Sequence, residues 1–392
     1  MKLRLALIHL GFALTGVVTT MLGPILPLLA SQWTLNDAQA GRFFTAQFVA
    51  AVTGSLLAAK VLARWGTSWT VSIGMFLVAA GVGATGSSTL WTSVTGIGLY
   101  GLGLGFALPA TNLLVAELVP ERRVAALNLL NFSWTVGALA GPMLIAQAQR
   151  TIGWRTFLFL LAASFVVTSV AGHARLLASN AAEPPQRQGK LHRDDRVLFA
   201  LLTSLFLILY VGVENAFSGW LSAFAIRFHQ TSPKMTALMQ SSFWCAILVG
   251  RLVAPLLVSR VLKPVGIVTA GIISAALGIT ATLLSSNVAV MFAGVLVCGL
   301  GLSAIFPTVV AIFAESYGSG GAGSIVLGMC GVGGATVPWL VGVVGAYAHN
   351  LRVGFIVPLL CLTAALITFW RIHNMTISSA EATTASAAHF RS

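Results

Sequence analysis

The chain has 392 residues, of which 57% are hydrophobic and 8% charged, against about 25% charged in an ordinary soluble domain. Its mean hydropathy of +0.92 excludes a soluble globular protein and a disordered chain. Four Cys are too few for a disulfide scaffold, and the net charge of +13 is explained below by topology, without a nucleic-acid partner. The class is a polytopic membrane protein.

A helix needs about 20 apolar residues to cross the hydrocarbon core. Twelve stretches qualify: 5–30, 38–62, 69–88, 91–116, 127–148, 155–176, 197–224, 237–258, 266–285, 289–314, 323–346 and 353–371. Gly and Pro interrupt many of them, which a membrane bundle tolerates. The ten-residue alternation of outer-membrane strands is absent. Lys2 and Arg4 precede an apolar run longer than the 7–15 residues of a signal-peptide core, so the first stretch is expected to stay as a span.

Crossing direction sorts the basic residues. Fifteen of the 22 Lys and Arg fall on the side of both termini, among them Lys60, Arg64, Arg122, Arg123, Arg260 and Lys263. Six fall opposite, Arg227 among them, and Arg251 lies within a span. This bias predicts both termini in the cytoplasm and a multi-pass protein of the cytoplasmic (inner) membrane. The polar connection 177–196 divides the spans six and six. The expected organisation is a bundle over 1–176, a cytoplasmic linker over 177–196, a bundle over 197–371 and a mobile tail over 372–392.

The halves repeat each other. Gly101-Leu102-Gly103-Leu104, Pro109 and Glu117 in span 4 recur in span 10 as Gly299-Leu300-Gly301-Leu302, Pro307 and Glu315, every pair offset by 198. Gly137 to Pro142 in span 5 recurs less closely as Gly333 to Pro338 in span 11. Parallel six-helix repeats that rock about a shared site are a transporter architecture. Glu117 and Glu315 lie near Arg64 and Arg260, and the four are expected to form ion pairs that latch the inner face. A solvated Glu with no partner is the plainer alternative.

An ionisable residue well inside a span costs about 2.5–3.5 kcal/mol or more and marks a functional site. Glu214 in span 7 and Arg251 in span 8 qualify, at depths that differ by about one helical turn. Glu214 is expected to take up a coupling ion or hold substrate, with Arg251 as its partner; a fixed pair locking two helices is the bland alternative. Tyr210, Glu214 and Ser218 share one face, with Asn215 beside them and Trp220 above. Gln240 and Trp244 join Arg251 in span 8, Asn128, Asn131, Trp134 and Thr135 lie in span 5, and Asn112 and Gln47 in spans 4 and 2. Amides bond hydroxyls and aromatic faces stack on sugar C–H faces, so the set suits a neutral polyol. Singly, each amide is more simply interhelical glue.

No signal supports an enzyme, and no Walker-type phosphate loop supports direct use of ATP. The seven His lack ligand spacing and the four Cys read as packing residues, so no metal or cofactor is expected.

The two-half, twelve-span layout resembles the major facilitator superfamily. Several blocks look more particularly like its fucose:proton symporter family, including sugar transporters related to sodium-dependent glucose carriers. They are Thr34-Leu35-Asn36 with Gln39-Ala40-Gly41, Leu127-Asn128-Leu129 with Gly137, Tyr210-Val211-Gly212-Val213-Glu214 with Gly219-Trp220, Phe243-Trp244 with Gly250-Arg251, Phe306-Pro307-Thr308, and Gly333-Gly334-Ala335 with Pro338. The loop Ala63-Arg64-Trp65-Gly66 keeps only the Arg and Gly usual in the superfamily, and Leu108 stands where fucose-type members carry an acid in span 4. The resemblance implies an all-α fold of two pseudo-symmetric six-helix bundles, with coupling or sugar contact at Glu214 and substrate contact at Phe306. The expected function is secondary active transport of a monosaccharide, a hexose, by alternating access in symport with H⁺ or Na⁺, by a functional monomer in the lipid bilayer. The alternative is a proton-antiport exporter of drugs or amphipathic metabolites. A non-transporting sensor is a third reading that no residue requires.

Overall fold

The computed structural model describes residues 2–176, 193–260, 263–317, 326 and 328–389. Their regular structure is helical throughout, as expected. The long helices of the first half are α1 (Lys2–Gln32), α2 (Asp37–Thr85), α3 (Leu90–Leu118), α4 (Arg123–Thr151) and α5 (Trp154–Leu176). The second half has α6 (Arg193–His229), α7 (Pro233–Arg260), α8 (Pro264–Leu284), α9 (Val288–Ser303), α10 (Ile305–Tyr317), α11 (Cys330–Tyr347), the short α12 (Leu351–Gly354) and α13 (Ile356–His389). Ten helices among the described residues are long and apolar enough to cross a membrane, and Trp154–Val170 is a shorter apolar helix. One of the ten, α2, contains two of the expected spans, so the set is consistent with twelve crossings. Most of the linker 177–196 and the Gly318–Gly321 stretch lie outside the described residues. Helix α13 runs on to His389, past Arg371 where the last span was expected to end.

The start of α2 follows from its sequence. Asn36 accepts from the Gln39 backbone N–H at 2.9 Å and the Gln39 side chain accepts from the Asn36 N–H at 3.0 Å, a reciprocal capping box. Within α2 the chain reverses at Gly66, whose φ of 80° and ψ of 178° lie where essentially only glycine settles. Both arms then reach the same helix. A Cβ added to Gly54 in the first arm would stand 2.2 Å from the Leu102 carbonyl oxygen, and one on Gly74 in the second would stand 2.9 Å from that of Gly103.

The repeat seen in the sequence is a repeat of helix contacts. Gly103 faces the backbone of Gly74 and Val78; its counterpart Gly301 faces Gly271 and Ala275. Gly81 lies on Gly96 and Tyr100, as Gly278 lies on Gly294 and Cys298. Small residues at these crossings let two backbones touch, the packing that membrane helices use in place of a hydrophobic drive. Large apolar side chains such as Leu56, Leu201, Leu277 and Leu360 are exposed on the outside of the bundle, as a lipid-facing surface requires.

Span 10, expected to be continuous, is broken. Helix α9 stops at Ser303 and α10 begins at Ile305. Pro307 has no N–H to offer the Ser303 carbonyl four residues back, and its ring crowds that turn.

Candidate functional site

The broken helix meets α6 at the centre of the second half. The Tyr210 hydroxyl lies 2.6 Å from Glu214 Oε2 and 3.0 Å from the Leu302 carbonyl oxygen. A phenol has one proton and two acceptors here compete for it. With Glu214 ionised, Tyr210 donates to the carboxylate. With Glu214 protonated, the acid donates to Tyr210 and Tyr210 turns to Leu302. Phe306, one residue past the start of α10, packs on Tyr210 with ring centroids 6.0 Å apart.

Arg251 comes from α7 and interacts electrostatically with the same hydroxyl. Among the described residues no ion pair closes between Arg251 and Glu214, so the phenol stands between the two charges. The Arg251 Nε is buried without a hydrogen-bond partner. Glu214 itself is half-buried. Cys298 of α9 and Cys330 of α11 lie near enough to feel its charge. Among the described residues, the titratable or charged groups that interact with Glu214 or with its Tyr210 partner include Arg251, Cys298 and Cys330.

The other expected site residues divide. Trp134 of α4 and Trp244 of α7 meet across the halves, centroids 5.7 Å apart and nearly perpendicular at 83°, and the buried Trp244 Nε1 has no partner. Asn112, Asn131 and Asn215 each donate to the carbonyl four residues back, Leu108, Leu127 and Val211, at 2.8–2.9 Å. Each keeps its amide oxygen and one N–H for another partner. Asn128 is exposed. Three residues are committed elsewhere. Gln47 takes the Tyr100 hydroxyl at 3.0 Å; Gln240 takes the Ser222 hydroxyl at 2.6 Å and donates to the Ser218 carbonyl at 2.8 Å. Trp220 is fully buried and donates to the Pro338 carbonyl at 2.8 Å. Their polar atoms hold helices together, and none of the three joins the Tyr210 cluster through a hydrogen bond.

Sequence reasoning missed an ion pair. Arg227 at the end of α6 grips Asp37 at the start of α2 with both guanidinium nitrogens, at 2.7 and 2.5 Å. It joins the halves on the face opposite the chain termini. The only hint was an arginine against the prevailing charge bias. Below it α2 and α11 run together: Gly342 lies against the Asp37 backbone, the Thr45 hydroxyl donates to the Ala335 carbonyl at 2.9 Å, and Gly334 packs on the Phe48 ring. On the terminal face the expected latch is different. Glu117 accepts from the Thr67 hydroxyl at 3.0 Å, because the reversal at Gly66 tucks Thr67 against α3 and leaves Arg64 exposed. Glu315 is exposed at the end of α10, and the Arg260 side chain lies outside those described.

The family model described as the Major Facilitator Superfamily matches residues 8–278. The chain belongs to this superfamily. Members are transporters and not enzymes. Across 97% of this chain and 84% of the relative, the superfamily member is 23% identical to Bypass of stop codon protein 6 of Saccharomyces cerevisiae. Shorter matches are the 4-hydroxybenzoate transporter PcaK of Pseudomonas aeruginosa, 29% identical over 38% of this chain and 33% of the relative, and Sugar carrier protein C of Ricinus communis, 30% over 32% and 25%. Among solved structures, a bacterial homologue of the human lysosomal transporter Spinster, inward-facing and occupied, superposes with a TM-score of 0.81 at 13% identity over 96% of this chain and 98% of that one. The Escherichia coli fucose:proton symporter superposes at 0.62 with 17% identity, over 94% and 98%. At these identities the likeness is one of superfamily fold.

Proposed function

We propose that this superfamily member moves a monosaccharide of hexose size across the cytoplasmic membrane by alternating access, in symport with H⁺. Na⁺ is the alternative coupling ion. In this reading the bundles over 1–176 and 197–371 rock about the linker 177–196 with both termini in the cytoplasm, and a single chain is the working unit. The observation that carries it is the Tyr210 hydroxyl, within reach of both Glu214 and the Leu302 carbonyl next to the break between α9 and α10. Protonation of Glu214 redirects that hydrogen bond and so alters the tie between α6 and α9. This gives a bound proton the differential contact with two conformations that coupling requires. The free amide atoms of Asn112, Asn131 and Asn215 and the rings of Trp134, Trp244 and Phe306 supply the chemistry of a sugar site. Arg64, Glu117, Arg260 and Glu315 remain the proposed gating set on the cytoplasmic side. Relatives and neighbours whose names record sugars or fucose:proton symport favour the same substrate class.

The test is sugar accumulation in proteoliposomes under an imposed pH gradient. Glu214→Gln is expected to abolish accumulation while keeping exchange of labelled for unlabelled sugar. Undiminished accumulation by that variant would sink the coupling assignment. The edge-to-face Trp134–Trp244 pair favours a second reading, proton-antiport export of apolar compounds. Thermal stabilisation of the purified protein by apolar cations, with none by any sugar, would select it.

A further inference from the structure

We infer that the solute carried at this site bears one negative charge, which Arg251 pairs; with the substrate proposed above, it is a sugar acid such as a hexuronate or aldonate. The inference rests on the proposed proton-coupled symport and names its substrate more closely.

It follows from a count of charge at membrane depth. Arg251 and Glu214 were the two clear ionisable residues well inside the spans. Arginine keeps its proton in any protein environment, so Arg251 contributes +1 in every step of the cycle. An empty carrier with Glu214 ionised is neutral there. When Glu214 takes a proton, a neutral solute would leave the loaded site at +1 in the middle of the hydrocarbon, the costly arrangement. A monoanion restores neutrality. The proton enters from one side onto Glu214, the anion sits on Arg251, and both leave on the other side, so no net charge crosses.

The geometry leaves the Arg251 guanidinium a donor to offer such an anion. Arg251 is not closed onto Glu214, because no ion pair joins them and Tyr210 lies between. Its Nε is buried with no acceptor, although buried donors are nearly always satisfied. A second unpartnered buried donor, the Trp244 Nε1, lies seven residues earlier on the same helix, two turns along and on the same side. The fixed positive charge and open Nε of Arg251 suit a carboxylate, and the Trp244 N–H, about 10 Å further along the helix axis, suits a hydroxyl of the same solute.

The experiment uses the full chain in proteoliposomes with the pH gradient and the membrane potential set independently. The probes are gluconate, glucuronate, glucose and 4-hydroxybenzoate. Gluconate or glucuronate is expected to accumulate with the pH gradient at a rate indifferent to potential, and glucose is not. Arg251→Gln is expected to weaken the acid's binding by about 30-fold or more, the factor that loss of one partner of a buried ion pair produces. Arg251→Lys, which keeps the charge and guards against a folding defect, is expected to retain part of it. Accumulation of glucose that rises with a negative-inside potential would overturn the inference and leave proton symport intact. Arg251-dependent transport of 4-hydroxybenzoate with neither sugar acid carried would uphold the charge and overturn the sugar. Failure of the pH gradient to drive any of the four would overturn the inference together with the proton symport on which it rests, and a Na⁺ gradient applied to the same vesicles tests the proposed transport apart from it.

Discussion

Arg227 holds Asp37 through two parallel hydrogen bonds, 190 residues apart in the chain and on different halves of the molecule. A transporter that alternates access must break this contact to open the face opposite the termini. The pair is bidentate but half-open, with 42% of the arginine side chain exposed, so solvent screening holds its worth to about 1 kcal/mol. Loss of that amount shifts a two-state balance about fivefold. Asp37→Asn is therefore expected to raise labelling of a cysteine placed at Ala40, buried beside the pair at 1% exposed, by a membrane-impermeant reagent about fivefold. The exchanged pair Asp37→Arg with Arg227→Asp is expected to restore the original labelling.

Removing the Tyr210 hydroxyl tests the hydrogen-bond switch without changing charge. A bond to an ionised group contributes about 1.5–3 kcal/mol. Tyr210→Phe is expected to lower gradient-driven accumulation by about 10-fold or more and exchange across the membrane much less. Equal losses in both would assign the phenol to solute binding alone.

The crossings of paired glycines should tolerate no side chain. A Cβ on Gly103 would stand 2.5 Å from the Val78 nitrogen, and one on Gly301 would stand 2.6 Å from the Ala275 nitrogen. Backbone cannot step aside as a flexible side chain can. Gly103→Val and Gly301→Val are each expected to destabilise the purified protein by about 1–3 kcal/mol, read as a lower melting temperature. Similar losses in the two halves would show that the repeat is energetic as well as geometric.

Gly66 presents the opposite case. Nothing lies within 4 Å of the position its Cβ would take, so only the backbone conformation resists substitution. Gly66→Ala is expected to cost about 1–3 kcal/mol. Because the residue faces open space, larger side chains should cost about the same as alanine. A steep dependence on side-chain size in a melting series would contradict this.

Much of this was legible because membrane helices carry their signals locally. Span length, the 198-residue offset and the shared face of Tyr210 and Glu214 all depend on residues close in sequence or on a fixed period. Pro307 stood in plain view, yet its effect could not be read alone: Pro109 occupies the matching place in α3, which continues unbroken. The Asp37–Arg227 pair was invisible because it depends on how the two halves dock. The amides were ambiguous for another reason. An Asn in a helix can bond the carbonyl one turn back or reach across to a solute, and the same letter serves both. Likewise, which neighbour Glu117 would choose turned on one reversal of direction, at Gly66.

The glycine crossings also constrain mechanics. Where backbones touch, neighbouring helices have no compressible layer of side chains between them, and each half behaves as a stiff plate. Along α2 and α11, by contrast, Gly342 and Gly334 present a smooth track to the opposing residues. One plate can then roll on the other along that track, and the contacts that must part are specific ones: the clasp of Asp37 and Arg227, the Thr45–Ala335 hydrogen bond and the crossed rings of Trp134 and Trp244.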